Sequence, residues 1–88
     1  MELDRKLVRE FRSGDVIANV WSNRMKGRRD WYSVTFSRRY WKDRQWHFSS
    51  SFRYRDLMNA ISAARWAHVW IWWHGPGSAR KFWWFWRK

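Results

Sequence analysis

The sequence predicts an α+β domain in which a three- or four-stranded antiparallel meander is followed by one long helix. Three observations carry that reading. Val16 to Ser22, Trp31 to Tyr40 and Trp46 to Tyr54 alternate in character with a period of two, as strands with unlike faces do. The connections between them are short and polar, which makes consecutive strands antiparallel neighbours. After Asp56 the apolar period becomes helical.

Taken in order, Met1 to Ser13 reads as a charged leader, with Leu3, Leu7 and Phe11 spaced for a partial helix. Ser13-Gly14-Asp15 then interrupts the chain. In the first strand Val16, Ala18 and Val20 share one side, and Ile17, Asn19 and Trp21 the other. Asn23 to Asp30 is a basic loop in which Gly27 supplies the freedom a turn needs. The next strand has Tyr32, Val34, Phe36 and Tyr40 on one parity and Ser33, Thr35, Ser37 and Arg39 on the other. A second turn is expected at Lys42-Asp43-Arg44-Gln45. The third strand is expected to place Trp46, Phe48 and Phe52 with the apolar set, and His47, Ser49, Ser51 and Arg53 with the polar one.

The helix is expected from Asp56 to about Trp73, with Leu57, Ile61, Ala64, His68 and Ile71 forming its buried stripe. Asp56 in the first turn suits the positive end of the helix dipole. Gly75-Pro76-Gly77 ends the helix. The expected organisation is a leader at 1–13, a sheet-plus-helix domain at 14–74, and a hinge with a basic Trp-rich tail at 75–88. That tail holds Phe82-Trp83-Trp84-Phe85-Trp86 between Arg80-Lys81 and Arg87-Lys88, and five consecutive rings should seek cover.

Composition narrows the function. A chain of 88 residues fits one domain with a modest core. It has no cysteine, which removes disulfides and thiolate metal sites. The leader lacks a secretory pattern and the apolar stretch at Trp66 to Trp73 is too short to span a bilayer, so a cytoplasmic protein is expected. Nineteen Lys and Arg, mostly Arg, oppose seven Asp and Glu for a net charge of +12. Such an excess repels itself and calls for an anionic partner, and guanidinium groups both pair with phosphate and stack on bases. Eleven Trp residues add stacking or interface surface.

These features point to sequence-independent nucleic-acid binding, with single-stranded DNA favoured and RNA as the other possible ligand. Candidate phosphate contacts are Arg24, Lys26, Arg28 and Arg29 in the loop and Arg39 and Arg53 on the polar sheet face, with Trp21 and Trp31 as stacking platforms. An antiparallel sheet with one solvated face shows the same alternation without any ligand. The basic loop and the overall charge favour the binding reading. A second helical stripe, Trp66, Trp70 and Trp73, is assigned to an interface, in a homodimer or against the tail. The alternative function is therefore a protein-interaction module whose Trp stripe and tail dock on a partner; attachment to a membrane surface is weaker still. His47, His68 and His74 lack the company of a metal site, and no catalytic triad, phosphate loop or carboxylate pair is recognisable. Neither a cofactor nor an enzymatic activity is expected.

Two resemblances add to this. Gly14 to Asn23, Trp31 to Tyr40, and Trp46 to Phe52 with Asp56-Leu57 resemble a group of small uncharacterised bacterial proteins. Their pattern is Trp-x-Asn, then Tyr-Ser-Val-Thr-x-Ser-Arg-x-Tyr, then a Ser-x-Ser-Phe strand before a helix. This match covers roughly 14–71 and implies no activity. At the level of topology the chain is similar to PC4-like single-stranded DNA-binding domains. That similarity implies dimerisation through the helices, with the Trp stripe at the contact, and a single strand held across the sheet. The chain departs from it in reading as one strand short of four, unless the leader or tail supplies another.

Overall fold

The computed structural model describes residues 3–74. The expected stop at Gly75-Pro76-Gly77 and the aromatic tail lie outside the described residues. Four strands, β1 (Leu3–Ser13), β2 (Val16–Met25), β3 (Trp31–Lys42) and β4 (Gln45–Ser49), precede a short 3-10 turn (Tyr54–Asp56) that runs into α1 (Leu57–His74). The strands lie side by side in the order β1-β2-β3-β4, each antiparallel to the next. The fold is thus a four-stranded meander followed by one long helix.

The fourth strand comes from the segment that read as leader. Leu3, Leu7 and Phe11 are not a helical stripe, because a bulge between Leu7 and Arg9 switches the strand's parity. Leu7 faces Trp21 on one side of the sheet, whereas Phe11 faces Ala18 on the other. Val8, at the bulge, packs against the core. One inserted residue hides an 11-residue strand from any search for strict alternation.

The helix lies mainly over β2 and β1 and touches β3 only marginally. Its buried side chains are Ala63 and Ala67, set against Val16, Ala18 and Val20, with Ala60, Trp70 and Ile71 beside them. The expected stripe is therefore rotated: Ile71 joins the core, but Leu57, Ile61 and His68 are exposed. The smallest residues are buried because they let the helix approach β2 closely. Two polar anchors fix its rotation, Ser13 Oγ donating to Asn59 Oδ1 at 3.0 Å and the Asp56 cluster described below.

The β1–β2 turn is where the helix meets the hairpin. Gly14 has φ +60, and a Cβ there would lie 2.5 Å from Asn59 Nδ2. Gly14→Ala is therefore expected to destabilise the fold by about 1–3 kcal/mol, from a left-handed backbone and a forced shift of Asn59. A urea midpoint equal to that of the parent would contradict this. At the other hairpin Asp43 (φ 53) and Arg44 (φ 63) form a two-residue turn with both residues left-handed. This tight turn sets Lys42 opposite Gln45 and Trp41 opposite Trp46.

β4 stops at Ser49 rather than continuing to Tyr54. The Ser51 N–H donates to Ser49 Oγ at 3.0 Å, the chain turns, and Phe52 then comes back to the core.

Candidate nucleic-acid interface

Cross-strand partners share a face, so the register sorts the sheet into two surfaces. The helix side carries Phe11, Ala18 and Phe36 in one row and Val20 and Val34 in the next. Among the described residues, no helix lies over the opposite side. It carries Trp21 beside Ser33, Asn23 beside Trp31, Asn19 beside Thr35, Ile17 beside Ser37, Arg39 beside Phe48 and Trp41 beside Trp46. From β1 it receives Arg5, opposite Asn23, together with Leu7, Glu10 and Arg12.

Trp46 and Phe48 were expected under the helix and are instead on the open face, 48% and 63% exposed, next to Trp41 at 59%. Phe52 shares the sequence parity of Trp46 and Phe48 but not their face. It belongs to the core, but the turn at Ser49–Ser51 separates it from the β4 alternation. The partners expected opposite them change sides too: His47 stacks on Tyr40 at 5.3 Å, and Ser49 sits opposite Arg38, both on the helix side.

Each end of the open face combines rings with guanidinium groups. Arg5 lies over the Trp21 ring at 4.2 Å, Arg28 over Trp31 at 4.9 Å and Arg39 over Trp46 at 4.4 Å. Trp41 and Trp46 meet edge to face at 5.1 Å. Trp21 is fixed by its Nε1–H donating to Thr35 Oγ1 at 2.8 Å. Asn23 is buried and its amide donates to Ser33 Oγ at 3.0 Å and to the Trp31 carbonyl at 3.2 Å. These bonds give the Trp-x-Asn spacing a structural meaning: positions two apart share a face, one presenting a ring and the other tying β2 to β3 beneath it. Ser33 and Thr35 act as acceptors here, so their own O–H hydrogens can donate to a phosphate oxygen.

The predicted phosphate ligands divide into two groups. Arg39 is on the open face, tied to Asp15 at 3.6 Å through Nε. Lys26, Arg28 and Arg29 are exposed in the loop, and Arg28 reaches Trp31; Arg24 pairs at the surface with Asp30 at 3.5 Å. Arg53 is not on the sheet. It lies at the start of the 3-10 turn, where its Nε donates to Asp56 Oδ2 at 2.9 Å and its Nη2 to Oδ1 at 3.3 Å. Its backbone N–H donates to the same carboxylate at 3.0 Å. Arg38, on the helix side, donates to the Ser51 carbonyl at 2.9 Å and stands 3.6 Å from Asp56 Oδ2. The Arg53 side-chain hydrogen bond, then its backbone N–H and the charges of Arg53 and Arg38, hold the Asp56 carboxyl below the usual carboxylate range, against the opposing effect of burial. The same bond raises the Arg53 guanidinium further above its ordinary range. Arg53 therefore serves the fold.

The Trp stripe of α1 is split. Trp70 packs edge-on against Tyr32 at 5.7 Å and joins the core, while Trp66 and Trp73 are about half exposed. With Phe11, Val69 and Trp70 they line an open apolar groove of about 380 Å³. Among the described residues no group of three His, Cys, Asp or Glu is placed to hold a metal, and no helix is long and apolar enough to cross a membrane.

Arg5, Trp41, Trp46 and Phe48 are the open-face residues that sequence reasoning missed. Arg5 was lost with strand β1. The other three were recoverable from the turn, since a two-residue connection at Asp43-Arg44 obliges Trp46 to sit beside Trp41.

The class this fold and surface define is an α+β meander-plus-helix domain whose open sheet face is aromatic and carries Arg5, Arg12 and Arg39. No family model, curated protein or solved structure matches the chain.

Proposed function

We propose that this protein binds single-stranded nucleic acid, with little sequence preference, across the open face of its sheet. One observation carries the reading: the β3–β4 register gathers Trp41, Trp46 and Phe48 around Arg39, on the face that already holds Trp21, Arg5, Ser33 and Thr35. Guanidinium and hydroxyl groups bond phosphates, and exposed rings stack on bases whatever their identity. Only an unpaired strand offers base faces to such rings, because a duplex keeps them stacked inside. The net charge of +12 supplies the long-range attraction.

We place DNA first because the order of strands and helix resembles that of PC4-like single-stranded DNA-binding domains. RNA offers the same phosphates and base faces, so it enters the test as an equal arm. Fluorescence anisotropy with labelled single strands and duplexes of DNA and RNA, over a salt series, decides the matter. Tight binding to single strands is expected, weakening steeply with salt and quenching Trp emission. Equal affinity for duplexes without quenching would reduce the face to a generic basic surface, and no binding at low salt would remove the reading.

A second reading rests on the outer side of α1. Leu57, Met58, Ile61, Trp66, Val69 and Trp73 are exposed on a helix whose only Lys or Arg is Arg65. In a chain of +12 an apolar helix side with one cation lets a second copy approach with little repulsion, so we assign it to a homodimer contact. Sedimentation equilibrium reporting a monomer at every concentration would exclude it.

A further inference from the structure

We infer that the open face holds a single strand at two separate aromatic platforms, so that its ligand is a strand long enough to reach both. This rests on the single-strand reading above and adds a length requirement to it.

The first platform is Trp21 and Trp31, diagonal neighbours across β2 and β3, with Arg5 and Arg28 over their rings. The second is Trp41 and Trp46, with Phe48 alongside and Arg39 over Trp46. Trp21 is level with Ser33 and Phe48 is level with Arg39, so the inner edges of the two platforms lie six residue steps apart along β3. At about 3.3 Å per residue that interval is about 20 Å. The rows between them contain Glu10, Asn19 and Thr35, then Arg12, Ile17 and Ser37, and no aromatic side chain. A stacked strand advances about 3.4 Å per nucleotide, so about six nucleotides bridge the interval, and fewer if the strand is stretched.

A ring cluster at each end and a hydroxyl lane between them make the face bivalent for one strand. A base stacked on the first platform holds the rest of the strand near the second, which raises the effective concentration there. Oligonucleotides shorter than the interval occupy one platform at a time, and longer ones occupy both.

The test is anisotropy competition with the full chain and oligothymidylates of 2, 4, 6, 8 and 12 nucleotides. Affinity is expected to step up by at least tenfold between the 4-mer and the 8-mer, then rise only slowly. In the Trp41→Ala/Trp46→Ala variant, with its fold checked by circular dichroism, the step should collapse to about twofold. A step that persists in that variant, or a smooth rise in the parent, would overturn the two-platform inference and leave single-strand binding intact. If no length binds the parent chain, it is the single-strand reading that fails.

Discussion

Replacing Asp56 with alanine lowers the melting temperature by on the order of 10 °C, a loss well beyond that of an ordinary surface substitution. Asp56 is buried at 3% exposure and accepts three hydrogen bonds from Arg53, one of them from its backbone N–H. Its own N–H donates to the Arg53 carbonyl at 2.9 Å, and Arg38 stands beside the carboxylate from β3. The cluster therefore joins the start of α1 to the sheet. Alanine leaves two guanidinium groups facing each other and the first turn uncapped. Asp56→Asn separates charge from shape, because the amide keeps the volume but cannot neutralise both arginines. Thermal unfolding of both variants at neutral pH checks this, and a melting temperature within a degree or two of the parent would contradict it.

The same site sets a pH dependence. The Asp56 carboxyl is held below its ordinary pKa of about 3.9 in the folded protein. Its contribution to stability is therefore complete above that ordinary value and is lost as the pH falls through the lowered, folded one. The parent should lose melting temperature on acidification below about pH 4, and Asp56→Asn should show a flatter acid limb over the same range.

Trp46→Ala weakens single-strand binding by about 1–3 kcal/mol, from about fivefold to about 150-fold in Kd, if a base stacks on that ring. Arg39→Ala acts differently. Removing one phosphate contact should reduce the slope of log affinity against log salt by about 0.7, as expected for a single strand. The two variants thus separate stacking from charge at neighbouring positions. Arg53→Ala serves as the contrast, since its side chain is bound to Asp56: its main effect should be on stability, with the salt slope of the folded protein unchanged. A salt slope that falls with Arg53→Ala but not with Arg39→Ala would mean that the cationic groups in contact with the strand have been misassigned.

β2 was legible because its β-branched run keeps Val16, Ala18 and Val20 on one parity, and β3 because Tyr32, Val34 and Phe36 alternate with Ser33, Thr35 and Ser37. The helix was legible as an element but not in its rotation. Leu57 and Ile61 are larger than Ala63 and Ala67, yet close approach to Val16, Ala18 and Val20 favours the alanines. Residue size in one segment says nothing about the space its partner leaves. β1 was hidden by a single bulged residue, and β4 by a face change after Ser49 that made Phe52 look continuous with Trp46 and Phe48. Of the candidate site, Arg39, Trp21 and Trp31 on the open face and Arg28 over Trp31 were legible in the sequence. The site's second aromatic cluster depended on pairing register, which belongs to two strands at once.

Backbone amide shifts on titration with an unlabelled 12-nucleotide single strand test the central claim most directly, because they report which face the ligand meets. Shifts are expected at Arg5, Trp21, Ser33 to Trp41 and Trp46 to Phe48, with the amides of α1 between Ala60 and Val69 little changed. Shifts centred on Trp66, Val69 and Trp73, with the open sheet face unaffected, would contradict the account and make the helix the binding surface.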